Sequence, residues 1–246
     1  MDMLALLPGL QPDLPVTILR QFSRIASARL VLTGRVTRLG ISRWAGQGGS
    51  DRTVQRFFST VIPWGTLLWV FFRQHVYRTA DVYLRAGDEV VGTKAGKQTY
   101  GLARFFSSLY GKPVPGLAFF TVSLVSTQER RSFPLRVQQR VRSEAEKVAS
   151  KAKAQAKQQK PSTAKRRPGR PQGSQNTPKA DVTLTPELGR IAGTLDALLT
   201  LVAGYIPLTS WVLDGHVGNH HALQMARQGN LHLISKLQCD AALYFP

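Results

Sequence analysis

Two aspartates stand where a carboxylate could take part in chemistry. Asp88 lies in the run from Tyr83 to Lys94, and Asp214 lies in the run from Ser210 to Asn219. Each is at the edge of a short apolar, β-branched run, so its carboxylate is expected to project from a rigid strand towards a site. Carboxylate oxygens are the ligands that hard divalent cations require. For Asp214 a structural interpretation is also open, because Asp-Gly commonly just closes a turn after a strand.

The hydrophobic pattern predicts the elements that must position these aspartates. Residues 13–80 have apolar side chains at helical spacing. The glycine-rich segment 46–49 interrupts this pattern, and Ser50 or Asp51 is suited to cap the helix that follows. A strand-like pattern begins at Asp88. A second helix-rich part begins near Thr185, where Pro186 suits the first helical position and Glu187 the first turn. Strands are predicted at 89–93, 117–125, 132–141, 211–213 and 231–237, and helices from 185 and at about 219–228.

Several long strings around the two aspartates carry a family resemblance. They are Gly-Asp-Glu-Val-Val at 87–91, Lys-Ala-Gly-Lys-Gln-Thr-Tyr-Gly-Leu at 94–102, Arg-Phe-Phe-Ser-Ser-Leu-Tyr-Gly-Lys-Pro-Val-Pro-Gly-Leu at 104–117, and the stretch from Leu-Asp-Gly-His at 213–216 to Tyr-Phe-Pro at 244–246. With these strings the chain resembles the DDE transposases of bacterial insertion sequences, in the branch related to the insertion-sequence-four family.

That resemblance implies an α/β fold with a ribonuclease-H-like core and metal-assisted cleavage of DNA followed by strand transfer. Asp88 and Asp214 would be the first two catalytic carboxylates and would bind Mg²⁺, with Mn²⁺ as a substitute. Glu89 adjoins Asp88 and would point to the opposite face of the strand, so it is expected to support the ligands without binding the metal, or to pair with a lysine. In the family the third carboxylate follows the position of Pro246. The chain is therefore expected to be a C-terminally truncated fragment that is inactive alone.

Four regions are predicted. Residues 1–80 would form a helical domain that binds DNA ends, and 81–142 the first part of the catalytic core. Residues 143–181 would be a flexible basic insertion, and 182–246 the second part of the core without its C-terminal end. All eleven basic residues before Asp88 are arginines, whose planar fork suits phosphates and guanine edges. Ordinary exposed arginines on a packing module explain that pattern about equally well.

The charge distribution predicts a nucleic-acid partner. Lys and Arg number 33 against 14 Asp and Glu, and the eleven basic and two acidic residues of 142–179 give that stretch +9. Residues 165–174 resemble an AT-hook, in which Arg170 would enter a minor groove. A basic linker that touches phosphates without preference is the alternative, and charge alone would also suit a ribosome-associated protein. The predicted DNA-binding residues are Lys94, Lys97, Lys165, Arg166, Arg167 and Arg170.

The sequence also predicts the cellular compartment and the binding partners of the protein. Cys239 is the single cysteine, and no secretory signal or membrane-spanning run is apparent, so a cytoplasmic protein is expected. The expected partner is double-stranded DNA, both the element's terminal repeats and its target, with a homodimer as an open possibility. Two functions compete: a transposase fragment, and a non-enzymatic DNA-binding protein that competes with full-length transposase.

Overall fold

Helices and strands combine in a mixed α/β arrangement. A computed structural model describes residues 8–10, 12–45, 50–96, 98–148, 152, 155, 184, 186–202, 204–214 and 220–236. The helices are α1 (Val16–Val31), α2 (Arg38–Ala45), α3 (Asp51–Ser59), α4 (Trp64–His75), α5 (Pro186–Val202) and α6 (His220–Gln228). The strands are β1 (Tyr83–Thr93), β2 (Ala103–Ser107), β3 (Lys112–Ser126), β4 (Arg131–Arg140), β5 (Ser210–Leu213) and β6 (His232–Ser235).

The first four helices pack around an apolar cluster of their own. Ser50 caps α3, as its sequence predicts, because its hydroxyl oxygen accepts a hydrogen bond from the Thr53 amide at 3.3 Å. Helix α4 belongs to two clusters, since Leu67 and Val70 face the helices whereas Trp69 and Phe72 pack with the sheet. The sheet is therefore anchored to the helical region through one apolar helix.

Six strands form one sheet with both parallel and antiparallel pairing. Its order is β2-β3-β1-β5-β6, and β4 also pairs with β3. Strand β1 is antiparallel to β3 and parallel to β5, and β6 is parallel to β5. Helix α5 leads from β4 to β5, and α6 leads from β5 to the parallel strand β6, as a parallel crossover requires. This arrangement is compatible with the ribonuclease-H-like core that the resemblance implies.

The two faces of the sheet differ in what covers them. Along β1, Tyr83, Arg85 and Gly87 are buried, whereas Leu84 is half-buried and Asp88 is exposed. Because side chains of a strand alternate between faces, the buried set lies on one face. That covered face packs against α4, α5 and α6, whose apolar residues share one core cluster with the inward side chains of β3 and β5.

Both strands of the second half of the chain, β5 and β6, were predicted from the sequence. In the first half the structure differs from the predicted strands in two places. Strand β1 begins at Tyr83 rather than 89, so Asp88 lies within the strand and not at its edge. Strand β2 was not predicted, because five residues without a β-branched side chain give a weak signal.

The two prolines of β3 are tolerated for a reason that only pairing reveals. Register places Gly116 opposite Thr93, the last residue of β1, so Pro113 and Pro115 lie beyond the stretch paired with β1, where β3 pairs with β2 on its other side. Proline lacks an amide proton but its carbonyl still accepts, and the Lys94 amide donates to the Pro115 oxygen at 3.1 Å.

None of the helices in the described residues combines the length and the apolar character that a membrane span requires.

Candidate functional site

Pairing between β1 and β5 places the two aspartates side by side. The parallel register aligns Gly87 with Leu213, and Asp88 and Asp214 are the next residues of their chains. Gly87 and Leu213 lie on the covered face, so the following side chains turn away from it. Both aspartates are exposed. Two carboxylates distant in sequence therefore meet at the carboxyl end of β5.

A cavity of about 410 Å³ lies at this point, and both carboxylates line it. Strand β5 ends at Leu213 and pairs with β1 only over 85–87, so within the described residues the edge of β1 beyond Gly87 has no parallel neighbour. The opening follows from this difference in strand length. The other lining residues are Gly87, Glu89, Val91, Phe105, Phe106, Ser108, Phe120, Arg140, Arg142 and Glu187.

Gly87 allows the strands beneath the aspartates to pack closely. A Cβ atom at this position would lie 2.9 Å from Leu213 Cδ2 and from Phe120 Cζ, and 3.2 Å from Trp211 Nε1. No side chain larger than hydrogen can be placed there without displacing buried neighbours. The glycine before Asp88 is thus a packing requirement of the site.

The second wall of the cavity is organised by one arginine. Arg140, at the end of β4, donates through Nη1 to both oxygens of Glu89, at 3.0 and 3.1 Å. The same nitrogen lies 2.7 Å from Glu187 Oε1, in the first turn of α5. Glu89 is thus paired with an arginine on the covered side, whereas a lysine partner was one of the two roles expected from the sequence. Two carboxylates of the cavity share a single guanidinium, so one negative charge of the three groups stays uncompensated.

An aromatic ring supports this arginine. The Arg140 guanidinium carbon lies 5.8 Å from the centroid of the buried Phe105 ring, and the Arg142 carbon lies 5.0 Å from it. Both distances are within the range of a cation–π interaction. The charges of Arg140, Glu89, Glu187 and Arg142 therefore cancel on this wall, and Arg142 is the cation of the cavity for which the described residues show no ion pair.

A further cation lies inside the covered face. Arg85 is fully buried, and its Nη2 donates to the Leu208 carbonyl at 2.8 Å. Its Nε and Nη1 have no hydrogen-bond partner among the described residues. Burial lowers the pKa of Arg85 to about 10, so the side chain is still charged at neutral pH. Burying this charge costs stability that the surrounding apolar core has to offset.

No third carboxylate joins Asp88 and Asp214 in the described part of the chain. No group of three or more His, Cys, Asp or Glu side chains that could hold a metal ion occurs there. Glu89 and Glu187 line the same cavity but are engaged by Arg140. The described site offers two carboxylates that Arg140 does not engage, those of Asp88 and Asp214. Two carboxylates are an incomplete set of ligands for two metal ions.

The basic residues predicted to bind DNA are only partly described. Lys94 is exposed and follows directly after β1, beyond the part of that strand that lines the cavity. Lys97, Lys165, Arg166, Arg167 and Arg170 lie outside the described residues. Their role stays a prediction.

Several residues of the cavity had no signal in the sequence that would have identified them. Arg140 and Phe105 are ordinary members of strands, and their roles arise from contacts with residues far along the chain. Glu187 was recognised only as an acidic residue of a first helical turn. Helix α5 brings it to the cavity because the helix begins beside the end of β4.

Comparison with known proteins identifies the family of this chain. Curated proteins offer no match to this chain. The family described as DDE superfamily endonuclease matches residues 10–246, which include both aspartates and every wall of the cavity. Nucleases of this superfamily act on DNA and typically use divalent metal ions. The chain belongs to the DDE superfamily endonucleases.

Proposed function

We propose that this chain is a DNA transposase of an insertion sequence, of the branch related to the insertion-sequence-four family. Its reaction is metal-dependent cleavage of a DNA strand at the end of the element, followed by transfer of that strand to a target. Membership of a DNA-cleaving superfamily supports the nuclease part of the proposal. The observation that carries it is the register of β1 and β5, which brings Asp88 and Asp214 to one cavity.

The donor set suits a hard divalent cation. Asp88 and Asp214 would hold Mg²⁺, or Mn²⁺ in its place, because both prefer carboxylate oxygens. When bound, such ions activate an attacking oxygen and stabilise a leaving oxygen at phosphorus. The chain's own part is to hold the two carboxylates on adjacent strands and to accept the DNA backbone against Arg142, which lies over the Phe105 ring.

A third carboxylate that is not among the described residues of the cavity is proposed to complete the site. The other acidic residues that line the described cavity, Glu89 and Glu187, are held by Arg140. Releasing one of them would break a pair whose partner is largely buried, which is costly. The described residues thus form a site that needs one more ligand for efficient cleavage.

The ribonuclease-H-like core belongs to this proposal as well. Three antiparallel strands, a helix, a strand parallel to the first, a further helix and a last parallel strand follow one another along the chain, with β2 as an addition. Sites of such open sheets lie at the carboxyl ends of the parallel strands. Asp214 directly follows β5 at such an end.

The cleavage test uses DNA carrying an element end, with Mg²⁺ or Mn²⁺. Residues 1–246 alone are expected to give no nicking. The same chain, extended by or mixed with the family's C-terminal region that carries the last glutamate, should cleave. Asp88→Ala or Asp214→Ala should then remove activity, because losing a metal ligand costs several kcal/mol and each ~1.4 kcal/mol is tenfold in rate.

Two results would contradict the site. Robust cleavage by residues 1–246 alone would show that a third ligand lies within them. Full activity of the extended protein after either aspartate is replaced would remove Asp88 or Asp214 from the reaction. Element-end binding without cleavage in the extended protein would instead favour a DNA-binding protein that competes with active transposase.

DNA binding is proposed to involve the basic stretch between β4 and α5. Its start is fixed to the fold, since Glu146 lies 3.3 Å from Arg190 of α5, and the Ser143 amide holds the pKa of Glu146 below its usual range. Deleting only 149–180 preserves those contacts. The deletion should lower both the affinity for duplex DNA and its salt dependence, because fewer counterions are released. Unchanged titrations at two salt concentrations would exclude this stretch.

The minor-groove interpretation has its own test. Arg170→Ala should weaken binding to AT-rich DNA more than to GC-rich DNA, because the narrow minor groove of AT-rich DNA has the stronger negative potential. Lys165→Ala, which removes a charge outside the Arg-Pro-Gly-Arg-Pro core of the segment, is the matched control. Equal losses on both DNAs in the Arg170 variant would leave a linker without sequence preference.

A further inference from the structure

The end of the hairpin formed by β2 and β3 exposes unusually apolar side chains beside the candidate site. We call residues 106–110 the hairpin tip. Within it Phe106 is 62 % exposed, Leu109 is 83 % exposed and Tyr110 is 52 % exposed. Large apolar side chains scattered singly on a surface need no explanation, but three in five consecutive residues form a patch.

The hairpin tip lines a groove together with β1. The groove has a volume of about 470 Å³, and residues 88–93 of β1 form its other wall, where Val90 is 55 % exposed. This size lies in the range of sites that take small organic groups, roughly 300–1,000 Å³. Asp88, Phe106 and Ser108 line both this groove and the aspartate cavity, so the two spaces are continuous.

Three cations flank the groove in β2, in β3 and after β1, whereas Asp88 and Glu89 are the acidic residues that line it. Arg104 on β2, Lys112 on β3 and Lys94 after β1 are all exposed, and no ion pair with an acidic side chain is found for them in the described residues. Aromatic rings set among unpaired cations are the combination that binds unpaired nucleotides, in which rings stack on bases while the cations contact phosphates. An apolar protein partner would not call for these cations.

We propose that the hairpin tip is a stacking subsite for unpaired nucleobases that flank the phosphate held at Asp88. The inference rests on the proposed function, which places DNA at the aspartates. A nucleotide joined to that phosphate enters the groove directly, because the groove begins at Asp88. Phe106 and Tyr110 supply the rings, Leu109 covers the base edge, and Arg104 and Lys112 contact the adjoining backbone.

The test compares two DNA duplexes of identical sequence, one fully paired and one with three unpaired nucleotides at an end. Binding of residues 1–246 is titrated at two salt concentrations, and 2-aminopurine at an unpaired position reports stacking through quenching of its fluorescence. The test variant is Phe106→Ala with Tyr110→Ala. The control is Tyr100→Ala, because Tyr100 is 79 % exposed but lines a different cavity.

The unmodified chain is expected to prefer the frayed duplex and to quench the 2-aminopurine. The double variant should lose roughly tenfold or more in affinity for the frayed duplex. Its affinity for the paired duplex, its salt dependence there and its thermal unfolding should be unchanged, since the replaced rings are exposed. Tyr100→Ala should behave like the unmodified chain.

Four results would overturn the proposal. Equal affinity of the unmodified chain for both duplexes, or quenching that persists in the double variant, would remove the stacking subsite while leaving the transposase proposal intact. Self-association that disappears in the double variant, without a change in frayed-end binding, would make the hairpin tip a contact between two copies of the chain. Binding to neither duplex would contradict the proposed function itself.

Discussion

The two faces of strand β1 differ in burial and in the side chains that they carry. Tyr83, Arg85 and Gly87 point into the core formed with α4, α5 and α6. Asp88 points the other way, next to Asp214. The covered face tolerates no added atom at Gly87, whereas the open face carries exposed carboxylates. The rigid face holds the strand in place, and the exposed carboxylate of Asp88 is attached to its other side.

The comparison also separates two adjacent acids. Asp88 and Glu89 are neighbours in sequence, yet Glu89 turns to the covered side and is neutralised by Arg140 at 3.0 Å. A carboxylate already bound by a guanidinium is a poor metal ligand, because the two cations compete for the same oxygens. Position along a strand therefore decides the role of an acid more than its chemical type does.

The largest expected effect distinguishes these two acids directly. In the extended protein that carries a third carboxylate, Asp88→Asn should lower DNA cleavage by about a thousandfold or more, since several kcal/mol of metal-dependent stabilisation are lost. Glu89→Gln is the control and should keep most of the activity, because its carboxylate binds Arg140. Single-turnover cleavage rates measure both. Equal losses would mean that the faces are not functionally separate.

The next effect concerns stability and compares two neighbours on β3. Leu124 is fully buried on the covered face, and Val125 is half-buried on the other. Leu124→Ala should lower the free energy of unfolding by about 2–5 kcal/mol, because it leaves a cavity in the core. Val125→Ala should cost less than half of that loss. Urea unfolding gives both values, and similar losses would show that the second face is also covered.

A smaller effect is expected from two glycines of β1. Gly87→Ala should lower the free energy of unfolding by about 1–3 kcal/mol through overpacking, since its Cβ would meet Leu213 and Phe120 at 2.9 Å. Gly92→Ala is the matched control, because the nearest atom to its Cβ would be the Leu117 oxygen at 4.0 Å. Thermal unfolding of both variants distinguishes them. A Gly87→Ala protein as stable as the control would contradict the packing at this point.

The smallest effect lies at the start of β1 and depends on pH. Burial raises the pKa of Asp81, but hydrogen bonds from Ser126, Gln128 and Thr127, together with that of the Val82 amide, outweigh it and hold the pKa below its ordinary value of 3.8. The stability from this network is therefore present above pH 3.8 and is lost as pH falls below it. Asp81→Asn should weaken the dependence of stability on pH in that acid range, as measured by acid unfolding followed with circular dichroism. An unchanged acid transition would contradict the network.

Sequence alone determined much of the order of elements. Pro186 and Glu187 predicted the start of α5, and the apolar patterns predicted β5, α6 and β6 to within a few residues. These signals are local, since caps and alternation act between residues close along the chain. The same local rules missed β2, whose pairing with β3 supplies what its own residues do not.

Sequence also identified the two aspartates, but their catalytic role stays a proposal. What only the tertiary structure decided is their neighbourhood: Gly87 beneath them, Arg140 between Glu89 and Glu187, and the hairpin tip beside Asp88. Each of these contacts joins residues from different strands or helices. Strand register and helix packing fix such contacts, and no property of a single segment specifies which distant segment it will meet.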